Sequence, residues 1–99
     1  MNLKHAQYML TVLQEGSITS AAKKLYVSQP SLSQMIKLVE TNLGTPIFNR
    51  STEPLTLTYA GEKYMEAAQQ ILTLHTNLAK EIDEITQEEH GKLRFGAHV

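Results

Sequence analysis

The sequence predicts a mainly α fold, three short helices and a β-hairpin followed by one long helix, on three observations. Apolar residues recur at helical spacing in three capped segments before residue 45. Between Gly44 and Thr58 that spacing gives way to short β-favouring pieces around turn residues. From Thr58 the helical pattern resumes and runs to about Glu89 without a proline.

The first helix runs from Asn2, its N-cap, to about Glu15, with Leu3, Ala6, Met9, Leu10 and Leu13 at helical spacing, and Gly16 ends it. Ser17 caps a second, short helix from Ile18 to about Leu25. Ser28 caps a third, with Pro30 in the first turn, where a missing N–H costs nothing, and Gly44 as its stop. The third helix divides into two faces: Leu32, Met35, Ile36, Val39 and Leu43 point inward, while Pro30, Ser33, Gln34, Lys37 and Thr41 fall on the opposite side. Next, Ile47-Phe48 and Leu55-Thr56-Leu57 flank Ser51-Thr52-Glu53-Pro54 and predict a β-hairpin.

The final helix would be a rod of roughly 45 Å at about 1.5 Å per residue, too long to bury itself on a small domain. Tyr64, Ala68, Ile71, His75, Leu78, Ile82 and Ile85 alternate by four and three along it, the spacing of a coiled-coil seam, with His75 its one histidine. A second chain is the expected cover. The competing reading packs the stripe on the chain's own helices, which suits its near half but leaves Leu78 to Ile85 with no intrachain element to meet.

Composition narrows the function. Ninety-nine residues, 41% hydrophobic and 19% charged, make one ordinary small domain, and the absence of cysteine excludes disulfides, iron–sulfur clusters and thiolate zinc. No apolar run is long enough to span a membrane and no signal segment opens the chain, so a cytoplasmic protein is expected. The net charge of −1 hides an asymmetry. Residues 17–50 carry Lys23, Lys24, Lys37 and Arg50 against Glu40 alone, whereas residues 65–99 are acidic on balance. Enzyme chemistry finds no support: His5, His75, His90 and His98 lie at no zinc spacing, and Asp83, the single Asp, is far from any Ser and His that could complete a triad. No metal and no cofactor are expected.

The two short helices over 18–37 have the layout of a helix-turn-helix, in which the first helix braces the DNA backbone and the second enters the major groove. Ala21 and Ala22 permit close approach, Leu25 and Val27 flank the turn, and Leu32 and Met35 face back to the core. Tyr26 stands at a turn position where glycine is common, and a positive φ there would carry a strain that is a fraction of the usual ~1–3 kcal/mol for unfavourable backbone. The same offsets occur in helical hairpins that bind no nucleic acid.

The segment from Gly16 to Glu40, above all Ser20-Ala21-Ala22-Lys23-Lys24-Leu25 and Val27-Ser28-Gln29-Pro30-Ser31-Leu32-Ser33, closely resembles the signature of the LysR-type bacterial transcriptional regulators. The similarity continues through Leu43-Gly44, Ile47-Phe48-Asn49-Arg50, Leu57-Thr58 and Ala60-Gly61-Glu62. The resemblance implies a winged helix-turn-helix over 1–58, with helix-turn-helix 18–37 and wing 46–57, and a linker or dimerisation helix over 59–89. Residues 90–99, especially Gly91 to Gly96, look like the first strand of a truncated effector-binding domain.

Carried over residue by residue, the resemblance places Gln29, Pro30, Ser33 and Gln34 at base edges, with the recognition helix (about 29–43) in the major groove. Gln can pair bidentately with adenine, and Pro and Ser can contact a thymine methyl. Ser17, Thr19, Ser28, Ser31, Lys37 and Arg50 would hold phosphates or the adjoining minor groove. Tyr64, Ala68, Ile71, His75, Leu78, Ile82 and Ile85 would form the dimer interface. Two positions depart from the family pattern: Gln34, where Arg is frequent, and Glu53 at a wing tip that is often basic. The implied partners are double-stranded operator DNA with an interrupted inverted repeat and a second copy of the chain, with a tetramer in the full-length protein as the larger assembly. A small-molecule effector would act only through the missing C-terminal domain, and no membrane partner is implied. Two alternatives stay open: a helical protein-interaction module that uses the same rod without DNA, and a winged-helix regulator of another family.

Overall fold

A computed structural model of the chain describes residues 1–96, with side-chain surroundings described to residue 89. The helices are α1 (Leu3–Glu15), α2 (Ile18–Leu25), α3 (Gln29–Leu43) and α4 (Tyr59–Gly96), and the hairpin strands are β1 (Phe48–Asn49) and β2 (Thr56–Leu57). The strands are antiparallel, with Phe48 opposite Leu57 and Asn49 opposite Thr56.

Local chemistry sets each boundary. Asn2, Ser17 and Ser28 take extended backbone, and their side chains accept from the N–H of His5, Ser20 and Ser31. Gly16 and Gly44 close α1 and α3 in the left-handed conformation. Tyr26 closes α2 in the same conformation at φ 58°, the one residue other than glycine with a positive φ among the described residues.

The core is a single cluster. Ala6, Met9 and Val12 of α1 meet Ala21 and Ala22 of α2, Leu32, Ile36 and Val39 of α3, Ile47 and Phe48 of the wing, and Tyr64, Met65 and Ala68 of α4. Tyr64 and Ala68, expected in the dimer seam, therefore belong to the intrachain core, at 6% and 0% exposure. Their four-residue step suits packing against α1 as well as it suits a coiled coil, so spacing alone did not separate the two. Leu43, expected inward, is half exposed: at the last position of α3 it lines a cleft with Met1, Asn2, His5 and Tyr64 rather than entering the core.

Helix α4 also continues past Glu89 to Gly96, so residues Gly91–Gly96, which look like a strand in sequence, are helical. A lone strand there would leave its backbone unpaired, whereas one glycine in an established helix costs only about 1 kcal/mol. Ala97, His98 and Val99 lie outside the described residues. The long helix gives the chain extents of 68 × 26 × 21 Å. No helix among the described residues is long and apolar enough to cross a membrane.

The Tyr64 hydroxyl is buried without a hydrogen-bond partner among the described residues. Burial pushes its pKa up from the ordinary tyrosine value, so the contribution is present below about pH 10 and is lost as pH rises through the folded-state pKa. Tyr64→Phe is expected to leave neutral-pH stability unchanged or raise it by about 1 kcal/mol, since an unsatisfied group is removed. The same change should flatten the alkaline loss of stability, as read by urea unfolding at neutral and strongly alkaline pH.

Candidate nucleic-acid interface

Helix α3 presents two faces of different chemistry. Leu32, Ile36 and Val39 are buried, and Met35 packs partly against them. Pro30, Ser33, Gln34 and Lys37 share the other face by their three- and four-residue spacing; Pro30, Gln34 and Lys37 are exposed, and Ser33 is half-buried.

The first turn of α3 is organised by its own side chains. The Ser28 and Ser31 hydroxyls are 2.7 Å apart while Ser28 Oγ accepts the Ser31 N–H at 3.2 Å. The Gln29 amide nitrogen donates to Ser33 Oγ at 2.8 Å, one turn along. That bond restricts two side chains on the presented surface and lowers the ordering entropy they would lose on contact.

The remaining expected contacts gather at the start of α2 and on the wing. Ser17, Arg50, Thr52 and Glu53 line one open cleft, so the structure brings Ser17 and Arg50 together although they stand far apart in sequence. The Leu55 N–H donates to the Gly16 carbonyl at 3.0 Å and fixes the wing's return limb against the α1–α2 turn. Glu53 puts a negative charge into the same cleft. Thr19 is exposed on α2. Lys24 is paired with Glu15 at 3.5 Å, while Lys23 and Lys37 have no ion-pair partner among the described residues.

Sequence reasoning missed two residues that hold this surface in shape. Glu40, counted there only as a charge, sends its carboxylate to the wing: Oε2 accepts the N–H groups of Ile47 (2.7 Å) and Phe48 (3.4 Å), and Oε1 pairs with Arg50 Nη2 at 3.1 Å. Thr58, seen there as a helix start, also ties the wing to α4: its Oγ1 accepts the Gly61 N–H at 2.9 Å and its hydroxyl donates to the Pro46 carbonyl at 2.7 Å. The signal for Thr58 was its place before Gly61-Glu62, a cap position; Glu40 carried no local signal.

Of the expected dimer residues beyond the core, Leu78, Ile82 and Ile85 are about half exposed at 54%, 52% and 49%, His75 is exposed, and Ile71 is partly covered. An apolar groove of about 830 Å³ runs elsewhere, between α1 and α4, lined by Leu10, Leu57, Met65 and Leu74 among others. No cluster of three or more His, Cys, Asp or Glu that could hold a metal ion occurs among the described residues.

Comparison with known proteins gives a consistent pattern. The model of the bacterial regulatory helix-turn-helix proteins, lysR family, matches residues 3–62. The transcriptional regulator BsdA of Bacillus subtilis (strain 168) is 37% identical over 100% of this chain and 34% of its own length. BudR of Klebsiella aerogenes is 41% identical over 97% of this chain and 67% of its own. This chain thus spans about a third of the length of BsdA. Among solved structures, the BenM DNA-binding domain in complex with catB site 1 DNA is similar at a TM-score of 0.84 and 30% identity, covering 90% of this chain and 96% of that one. The CbnR DNA-binding domain in its DNA complex gives a TM-score of 0.78 at 30% identity, covering 87% and 99%.

Proposed function

The chain belongs to the LysR family of bacterial regulatory helix-turn-helix proteins and carries the family's helix-turn-helix DNA-binding domain, and from that premise we propose that it reads operator DNA as a dimer with the N-terminal half of α3 in the major groove. The observation that carries this reading is the division of α3. Its apolar face is consumed by the core, while Pro30, Gln34 and Lys37 are exposed on the outward face, with the half-buried Ser33 between them. The similarity to the DNA-bound BenM and CbnR domains supports the same use of the fold.

Gln29, Pro30, Ser33 and Gln34 read base edges, and the fixed Gln29–Ser33 pair presents its polar atoms in one arrangement. Ser17, Thr19, Ser28, Ser31, Lys37 and Arg50 contact the backbone and set the register. Residues 1–58 form the DNA-binding unit and α4 the dimer linker, so two recognition helices related by a two-fold axis meet an interrupted inverted repeat. The relatives are transcriptional regulators, and regulation rather than catalysis is the role assigned to this chain.

The test is duplex DNA titrated over a range of salt concentrations. Phosphate contacts release counterions and make log K fall with log salt by about 0.9 per contact, while a protein-interaction module gives no binding to lose. Once a footprint on the upstream DNA has located an operator, Gln34→Ala is expected to lose about 1–3 kcal/mol at one base position and to relax preference there. Lys37→Ala should weaken cognate and scrambled duplexes alike. Equal losses on both duplexes for Gln34→Ala would remove it from base reading.

A further inference from the structure

We infer that Glu40 is the positioning residue of the DNA-contacting wing: it sets the angle between recognition helix and hairpin and aims the Arg50 guanidinium at the DNA backbone. The inference rests on the DNA-binding reading above and adds a residue and a role to it.

Glu40 lies on α3 in the turn after Lys37, and its side chain is only 14% exposed. Three donors converge on the one carboxylate, the N–H groups of Ile47 and Phe48 and the Arg50 guanidinium, and all three belong to the segment that enters β1 and leaves it. Two of them are backbone, so the carboxylate fixes the path of the main chain as well as one side chain. Bonds to a charged acceptor are stronger than neutral ones, and partial burial strengthens them further. The recognition helix and the wing are therefore joined through Glu40 directly.

Arg50 completes the argument. A guanidinium has five N–H donors in a rigid plane, and here one nitrogen faces Glu40 while half of the side chain stays exposed. Holding one edge of the plane presents the opposite edge outward, beside the cleft shared with Ser17 at the start of α2. Lysine is a poorer substitute, because its three donors sit on one compact nitrogen and an ammonium drawn to the carboxylate presents no separate, rigidly aimed edge to a phosphate. The negative charge of Glu40 on a DNA-facing element is thereby explained: it is taken up by three donors of the chain itself.

The experiment uses the 99-residue chain with a mixed-sequence duplex, since phosphate contacts are independent of sequence. Binding is measured against salt for wild type, Glu40→Gln, Arg50→Ala and the double variant. Gln keeps an oxygen for the Ile47 N–H but loses the ion pair, so its circular dichroism and melting should stay close to wild type. Affinity should fall about tenfold and the salt slope should become shallower by about 0.9, the loss of one phosphate contact. The double variant should bind like Arg50→Ala alone, because both changes remove the same contact.

An unchanged slope in Glu40→Gln, additive losses in the double variant, or tighter binding with a steeper slope would each overturn the inference. If Glu40→Gln does not fold, Arg50→Lys gives the same reading: a shallower slope supports the role of Glu40, and a full slope refutes it. Failure of the wild type to bind any duplex would instead overturn the DNA-binding reading itself, and with it this one.

Discussion

Gly61→Ala is expected to destabilise the domain by at least the upper end of the roughly 1–3 kcal/mol that overpacking costs, with a drop in melting temperature of about 10 °C or more. A β-carbon at Gly61 would run into the Ile47 carbonyl oxygen and lie against its carbonyl carbon. Those are backbone atoms, and they are not free to yield. The Ile47 carbonyl accepts the Thr58 N–H at 2.9 Å, and the Ile47 N–H is held by Glu40. Moving it aside would break the docking of the wing against α4 and the clamp to α3 together.

Gly44→Ala provides the contrast, because Gly44 sits at φ +79° with nothing within 4 Å of an added β-carbon. Its cost should be confined to the left-handed backbone, about 1–2 kcal/mol. Urea unfolding of both variants checks the order. Equal losses would mean that the Ile47 contact relaxes easily and that Gly61 is not where wing and α4 lock.

What the sequence revealed of this fold follows from how local each feature is. Asn2, Ser17 and Ser28 were identifiable as caps because a cap bonds to an N–H three residues away. The apolar face of α3 was legible from helical spacing, and so was the opposite face with Pro30, Ser33 and Gln34, whereas the base-edge roles of Gln29, Pro30, Ser33 and Gln34 were implied by the resemblance to the LysR-type regulators alone. Glu40 was not legible. Its partners lie seven to ten residues downstream across a turn, and the bond exists only once the hairpin has folded back on α3.

Tyr64 and Ala68 were misassigned for a related reason. Apolar residues three and four apart make a stripe, and the stripe does not say whether α1 or a second chain will cover it. Here it changes owner along its length: Tyr64 and Ala68 are buried by α1 and its neighbours, while Leu74, Leu78, Ile82 and Ile85 lie beyond the core and are exposed. The strand expected at Gly91 to Gly96 rested on the family resemblance, and such a segment adopts a strand only where another strand pairs with it.

The exposed part of the stripe sets the second large expectation, that Leu78→Ala with Ile82→Ala makes the chain monomeric. Both side chains leave about half of their surface to water in the single chain, 54% and 52%, and Ile85 lies one turn further on at 49%. Burying the exposed half of each contributes roughly 1 kcal/mol, by area. A two-fold dimer counts every substitution twice, so the pair removes roughly 4 kcal/mol, about a thousandfold in the dimer constant. Neither residue belongs to the core, so the melting of the helix-turn-helix should stay near wild type while sedimentation reports a monomer. Affinity for a single half-site should then persist, and the added affinity from engaging two half-sites at once should vanish, because that gain depends only on the link between the two units. An unchanged dimer in the double variant would place the interface on another surface. A wild type that sediments as a monomer at every concentration tested would mean that the exposed stripe of α4 serves something other than a second copy.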